Sequence, residues 1–575
     1  MKFRHILLSL TCLTLVTSCA DLNYSEVKTD DKAWVYSMPT LVSGLVSNVY
    51  AHVRYDLGQY DGAMKASATD EAHYANSISD IHKFYNGGWS PINPFSETWK
   101  NNYSGIAQAN NFLLEMDNIY ASLEQYRYNV NITPTYADLR KQFELYQYEV
   151  RFLRAYFYFE LVRSYGDVPL ITNVLTNAEA NNVTRTPSSE VFKFIVDECD
   201  AIAEKLPITY KDEPNSQYNR VNRITVLALK ARTLLYQASP LFNTSGDKAL
   251  WLKAAKANKA VIDIAPVTGV ALGLYSDLSG EKSYTSKEIF WVRGTGTPDQ
   301  YRANSLELYN FPIGVENGKS GNCPTQSLVD AYEFKTGSNM GKSFGEVWTA
   351  NSINVSTANP YNELDPRFGM TIVKNGDVWP SYTTKAVEIF EGGANASPIY
   401  GATQTGYYLK KLSDPNANIS TNAPSPKRHN FILFRLGEFY LNYAEAIYNA
   451  TGSAEDASDQ GMTANAAINV LRDRSDIKMP HFTGNDPNFL NRYMKERMVE
   501  LAFEDHRFWD VRRWKKGNDM FATVKIADLT KSTDGSIILT RAQQDRGWND
   551  KYYFFPIPFA EIQKNSKLVQ NPGWN

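Results

Sequence analysis

The segment Ile81 to Phe95 reads IHKFYNGGWSPINPF and sets Trp89 after two glycines and ahead of Pro91. Glycine and proline at that density write a loop rather than a helix or strand, so the indole is expected to stand free as a flat apolar platform. Such a ring suits the C–H face of a neutral, hydroxyl-rich ligand, with Asp, Asn or Arg nearby to hydrogen-bond the hydroxyls. Tyr85 and Asn86 flank the glycines, and Asp70 with Glu71 in SATDEAHY precede them as polar contacts or as a solvated turn. Further along, Tyr301, Trp379, Tyr382 and Tyr407 lie in loop-rich sequence as additional platforms, and Arg367 in LDPRF offers either a ligand contact or a structural salt bridge.

Covalent chemistry has no comparable signature. The chain lacks H-E-x-x-H, a G-x-G-x-x-G or Walker loop, and a G-x-S-x-G elbow. Its 7 His residues show no metal-ligand spacing, and its metal content stays open at this point. A glycosidase needs only two carboxylates roughly 5 to 10 Å apart, and nothing singles out such a pair among 62 acids. A non-catalytic binder without cofactor is the expectation. Lys and Arg total 59, a balance that argues against nucleic acid as a partner. The charged run from Lys495 to Arg513 puts Met494, Met498 and Leu501 on one helical face, leaving Arg497, Glu500, Glu504 and Arg507 to pair along the helix.

The elements that must position these residues begin after an export signal. MKFRHILLSLTCLTLVTSCAD carries Lys2 and Arg4, then an apolar run from Ile6 to Val16 that is too short to span a bilayer, then small residues before Cys19. Residues 1–18 are expected to be a signal peptide and Cys19 the lipidated N-terminus of a lipobox, followed by a polar tether to residue 31. Cleavage removes Lys2 and Arg4 and takes the net charge from −3 to −5. It leaves Cys199 and Cys323 in the body, too few for a disulfide framework, with Cys199 on the inner side of a helix.

Helices are legible at about 38–52, 96–117, 139–165, 187–206, 222–238 and 249–263, and again at about 434–450, 459–475 and 487–514. Thr186-Pro187 reads as an N-cap followed by proline at the first helical position. Between about 266 and 430 helical periodicity fades into long Gly-, Pro- and Asn-rich loops. Residues 32–575 therefore form one domain, with helical repeats at about 32–265 and 431–515 flanking a loop-rich region. An Ala-x-x-x-Phe element at Ala155 and Phe159 suggests tetratricopeptide-like hairpins without a clean period. In EVRFLRAYFYFELVRSYGDVPLI, from Glu149 to Ile171, apolar residues cover every side of the helix, the mark of packing within an array rather than of a ligand platform.

That segment resembles the E-x-R-F-L-R-A-x-x-Y-F-x-L-V-x-x-Y-G-x-V-P-L stretch of the SusD-like (RagB-type) lipoproteins of Gram-negative bacteria. Further pieces agree in order: TWKNNYSGIAQANNFL, RTPSSEVFKFIVDECDAIAEKLP, RITVLALKARTLLYQAS, LDPRF, FILFRLGEFYLNYAEA, AINVLRDR, KERMVELAFEDHRFWDVRRW and PIPFAEIQKNSKLVQNPGW. The resemblance implies a mainly α fold in which tetratricopeptide-like hairpins scaffold a loop-rich, ligand-facing insertion. It also implies a protein anchored by its N-terminal lipid on the outer surface of the outer membrane, binding oligosaccharides, or in some members peptides, for a SusC-like TonB-dependent transporter. The family places a binding Trp before the W-x-x-x-Y-x-x-I helix, which starts here at Trp99, and so favours Trp89. Some members brace a loop with calcium. A protein-interaction scaffold and a glycoside hydrolase are the remaining readings.

Overall fold

In the computed structural model the described residues are 32–95, 97–129, 134–210, 219–294 and 306–574. The signal peptide, Cys19, the tether and Tyr301 lie outside them. The organising element is the helix Tyr136–Tyr165. Thr135 and Asp138 cap its start reciprocally, and Gly166, at φ 71°, ends it. From Phe152 to Val162 no residue is more than 8% exposed, so the all-round apolar pattern is satisfied by neighbours on every side. The helix Glu97–Leu114 approaches closely at Gly105, where a Cβ would stand 2.5 Å from the Phe157 ring. On other sides Phe152 and Tyr156 meet Trp291 edge-on at 5.2 and 5.0 Å, and Phe159 meets Tyr236 at 5.1 Å. Buried charges on the helix are paired, among them Glu149, which accepts from Tyr50 and Arg220, and Arg154, which bridges Asn110 and Glu198.

Helices Ser188–Ile202, Arg223–Ala238, Lys248–Thr268 and Leu436–Thr451 continue the array, each packing on the one before. Ala464–Arg472 and Phe489–Glu500 pack in turn on Leu436–Thr451. Pro187 occupies the N-cap position of its helix rather than the first helical one, because Thr186 is drawn into a bridge with Val168. Buried Cys199 has its thiol pushed up by burial, which makes it an inert core residue. Residues 487–514 are two helices, Phe489–Glu500 and Arg507–Arg513, separated by a turn in which Phe503 and Asp505 both take φ 62°.

Among the described residues the strands are short: β1 (Ala72–Tyr74), β2 (Ile289–Gly294), β3 (Asn322–Pro324), β4 (Ser352–Asn354), β5 (Ile372–Val373), β6 (Tyr408–Leu409), β7 (Asn430–Arg435), β8 (Thr523–Lys531) and β9 (Ile537–Asp545). All pairings are antiparallel, β1 with β3, β2 with β7, β5 with β6, and β9 between β4 and β8. β2 and β7 lay Trp291 across from Phe434 and tie the loop-rich region to the helices. Beside the main core, a smaller one gathers Ala75, Phe311, Cys323, Val373, Trp379, Val387, Ile389 and Tyr408 beneath the loops.

Candidate ligand-binding face

The glycine-rich loop does not present Trp89. Its ring is 1% exposed, lying 4.8 Å from Phe84, 4.9 Å from Phe555 and 5.0 Å from Trp574, and stacking on Tyr552 at 5.6 Å. The expectation of a free platform is corrected by the C-terminal segment, which folds across the loop and turns the indole into core. Tyr85 is half-buried under the Arg546 guanidinium, 4.5 Å from its ring centroid, with its hydroxyl on His82 Nδ1. Asn86 is exposed, and its side-chain oxygen accepts from the Gly88 amide at 2.9 Å, holding the turn.

Four other expected contacts are also interior. Asp70, 6% exposed, accepts two bonds from Arg507 at 2.8 and 2.7 Å, and its carbonyl accepts from Thr325. Neighbouring Glu71 is buried, which pushes its carboxyl well above the usual range. Arg367 is sealed at 0% exposure among Asp365, Glu496 and Glu500, at 2.6, 2.7 and 2.8 Å, so its salt-bridge reading holds and ligand contact does not. Tyr407, 1% exposed, donates to Gln326 Oε1 at 2.7 Å and meets the Tyr361 hydroxyl at 3.0 Å. Trp379, 5% exposed, forms part of the smaller core, 5.7 Å from Phe311, with Lys410 Nζ 5.3 Å from its ring centroid.

Tyr382 is the expected platform that reaches the surface. It leans on Phe311 at 6.3 Å, remains half-buried, and stands with Trp379 over the smaller core. Loops knit together around it. Asn317 Nδ2 donates to the Ile419 carbonyl at 2.8 Å, and the Thr421 amide donates to Glu316 at the same distance. Half-buried Tyr309 closes against Gly62, which sits at φ 91°, where a Cβ would strike its ring, and Lys319 covers Tyr309 at 5.0 Å. The segment Gly392–Ala402 is pinned by Asn395, which donates to the Ile313 carbonyl at 2.5 Å and accepts at its own carbonyl from the Tyr408 hydroxyl at 2.6 Å. Its tip leaves Ile399 40% and Tyr400 79% exposed. Tyr309 and Tyr400 were not singled out from sequence, although SPIYGA carries the same loop chemistry that drew attention to Trp89.

His73, beneath the first loop, is held down to about 3, first by burial and then by the adjacent Arg546 charge, and burial lowers His82 as well. Among the described residues no three His, Cys, Asp or Glu side chains group as they would around a metal ion. The arrangement offers tyrosine faces, amides and backbone carbonyls, a chemistry of stacking and hydrogen bonding to an uncharged ligand.

Residues 287–574 match the family model described as the SusD family, and residues 22–235 match one described as starch-binding associating with outer membrane. The chain belongs to the SusD family. A SusD-like protein of Formosa agariphila is 25% identical over 437 residues, which is 74% of this chain and 73% of that protein. A crystal structure of a SusD-like protein from Bacteroides fragilis superposes with a TM-score of 0.75 at 26% identity, covering 94% of this chain and 98% of the other. A SusD-like carbohydrate binding protein from the same organism reaches 0.73 at 23% identity, over 93% and 100% of the two chains.

Most of the charged run 495–513 is buried in the interior rather than ranged along a helix surface. Arg435 bridges Glu504, Glu288 and Glu500 at 2.6, 2.7 and 2.9 Å, Arg497 bonds Asp510 at 2.6 Å, and Lys411 bonds Glu504 at 2.7 Å. Most of these pairs join different elements, in contrast to the expected pairing along one helix. Burial alone would raise the Glu500 carboxyl, but Arg474, Arg435 and Arg367 together hold it well below the usual carboxylate range. Carboxylates so paired are neither open to a substrate nor poised to move a proton, so this charged run is a brace between the loop-rich region and the helices.

Proposed function

We propose that this SusD-family chain is a non-catalytic, lipid-anchored protein of the outer-membrane surface that captures oligosaccharides and passes them to a SusC-like TonB-dependent transporter. Cys19 carries the lipid, and no nucleic acid takes part. The observation that carries the reading is the match of residues 22–235 to the starch-binding, outer-membrane-associating description. The likeness over 93% of the chain to a structure named as carbohydrate binding supports it further. The tyrosines of the loop face supply a physical means, since a half-buried Tyr382 and a projecting Tyr400 can cover sugar C–H faces without demanding charge on the ligand. Trp379, at the base of Tyr382, and Tyr85 with Asn86 act as supports for their loops rather than as the primary platforms.

A glycan array probed with the mature protein tests the reading. Binding to one class of neutral oligosaccharide, with no release of reducing ends on prolonged incubation, is the expected result. Silence across a broad glycan panel, or hydrolysis of a bound glycan, would overturn it.

A further inference from the structure

Apart from the loop face, a cavity of about 320 Å³ lies between the helix Glu97–Leu114, the segment 169–183 and the helix Phe559–Lys564. Its floor is apolar, with Trp99, Ile106 and Leu568 buried and Ile171 half-buried. The buried amides of its wall are already spent. Asn110 donates to the Ile171 and Asn173 carbonyls, both at 3.1 Å, and accepts from Arg154, while Asn565 donates to the Val183 carbonyl at 2.8 Å. Tyr103 likewise gives its hydroxyl hydrogen to the Pro169 carbonyl at 3.0 Å. A hydroxyl-rich sugar finds few free partners in such a wall, whereas an apolar side chain needs none. Leu114, 66% exposed, and Val174, 41% exposed, carry the apolar surface outward from the mouth.

The described chain starts beside this mouth. Lys32 Nζ donates to Glu115 Oε1 at 2.6 Å. Glu115 directly follows the helix Glu97–Leu114, four residues, or about 6 Å of helix, past Asn111 on the cavity rim. Residues 20–31, ADLNYSEVKTDD, lie just before that point and reach about 40 Å when extended. Their bulky apolar side chains are Leu22, Tyr24 and Val27. Leu22 and Tyr24 fall on one side of an extended chain, and Tyr24 stands eight residues, at most about 28 Å, before Lys32. The family-model match over residues 22–235 takes in this stretch, which a featureless spacer has no reason to share.

We infer that the cavity is the seat of the chain's own N-terminal segment, with Leu22 and Tyr24 inserted over Ile106, Ile171 and Leu568. A tethered segment meets its site at an effective concentration in the millimolar range, so two side chains suffice where a free peptide of that length dissociates. Docking takes up most of the tether and holds residue 19 close to the body, and release lets the body stand off by the tether's length. The inference rests on the reading that residues 1–18 are removed, and it is independent of whether the loop face binds glycan.

The test uses the mature full chain with photoreactive p-benzoylphenylalanine in place of Tyr24, cross-linked by light and mapped by mass spectrometry. Its intact mass shows whether residues 1–18 are gone, which separates a failure of that reading from a failure of the inference. Cross-links should fall within residues 99–111, 169–183 or 561–568, at a yield independent of protein concentration. A107W, which fills the mouth, should lower the yield about tenfold, because an overpacked site no longer admits the segment. L22D, which leaves the body untouched, should do the same, while Q108W, beside Ala107 and outside the cavity, should change nothing. A chain begun at residue 19 as C19S, without lipid, should cross-link as well as the lipidated one. Cross-links scattered over the surface, a yield that grows with concentration, or a yield indifferent to L22D and to folded A107W would overturn the inference. So would loss of cross-linking in the C19S chain alone, which would assign the cavity to the lipid.

Discussion

Two glycine-punctuated loops, each carrying a large aromatic residue, end in opposite environments. In the first, Gly87-Gly88-Trp89, the ring is 1% exposed; in the second, Tyr400-Gly401, it is 79% exposed. Local sequence chemistry is similar in both, so the difference comes from what folds over them. The first loop is roofed by Tyr552, Phe555 and Trp574, and Phe559 closes the roof by donating its backbone amide to the Pro91 carbonyl at 2.9 Å. The second is pinned at its base, through Asn395, Tyr408 and Glu388. Whether a loop aromatic stays exposed or packs is therefore decided by covering segments distant in sequence.

Substitution at Trp89 sets the two loops furthest apart. Trp89→Ala should destabilise the fold by about 3–5 kcal/mol, the range for emptying a large aromatic from a core. Urea unfolding measures this, and the folded fraction should keep its glycan affinity. An affinity loss at unchanged stability would return Trp89 to the binding site. Arg367→Ala should cost a similar amount, about 3–5 kcal/mol, because it leaves buried Asp365 without its cation and takes from Glu496 and Glu500 one of the arginines that each shares. Its unfolding midpoint should fall without any change in ligand specificity.

A pH effect of intermediate size follows from His73. Its folded-state value is depressed to about 3 from an ordinary 6.5, so the unfolded chain binds a proton that the native state refuses. The stabilisation is present above about pH 6.5 and is lost as pH falls from there toward 3, at up to about 1.4 kcal/mol per unit. Denaturation curves across that window should show a shallower slope for His73→Gln than for the parent, with His82 supplying part of what remains. An identical slope would place the acid sensitivity elsewhere. The smallest effect belongs to the second region: Tyr382→Ala should weaken glycan binding about three- to tenfold, the worth of one aromatic contact, while shifting stability by less than about 1 kcal/mol.

The scaffold was far more legible in the sequence than the site. Its helices announce themselves through caps and apolar periodicity, and the Tyr136–Tyr165 helix differs from the expected span by one turn, where Thr135 and Asp138 build a capping box. The expected single helix over 487–514 divides because Phe503 and Asp505 adopt left-handed backbone, a conformation that neither residue type signals. The β8–β9 hairpin went unread, although Asp534-Gly535 between TVKIADLTK and IILTRAQQD is a hairpin signal. Polar residues misled most at Asp70, which resembles a ligand contact by type, yet its partner Arg507 lies hundreds of positions away in the chain; Arg367 keeps its salt-bridge reading, but beyond Asp365 in its own motif its partner Glu496 is over a hundred positions away. Spacing within a motif carries no trace of such pairings.

The central claim is that ligand is held by the tyrosines of the second region, around the smaller core. Affinity electrophoresis through a gel containing the array-selected glycan, comparing the parent with Y382A/Y400A, tests it most directly. The double variant should keep its unfolding midpoint and migrate as though no glycan were present. Retardation equal to that of the parent would contradict the account.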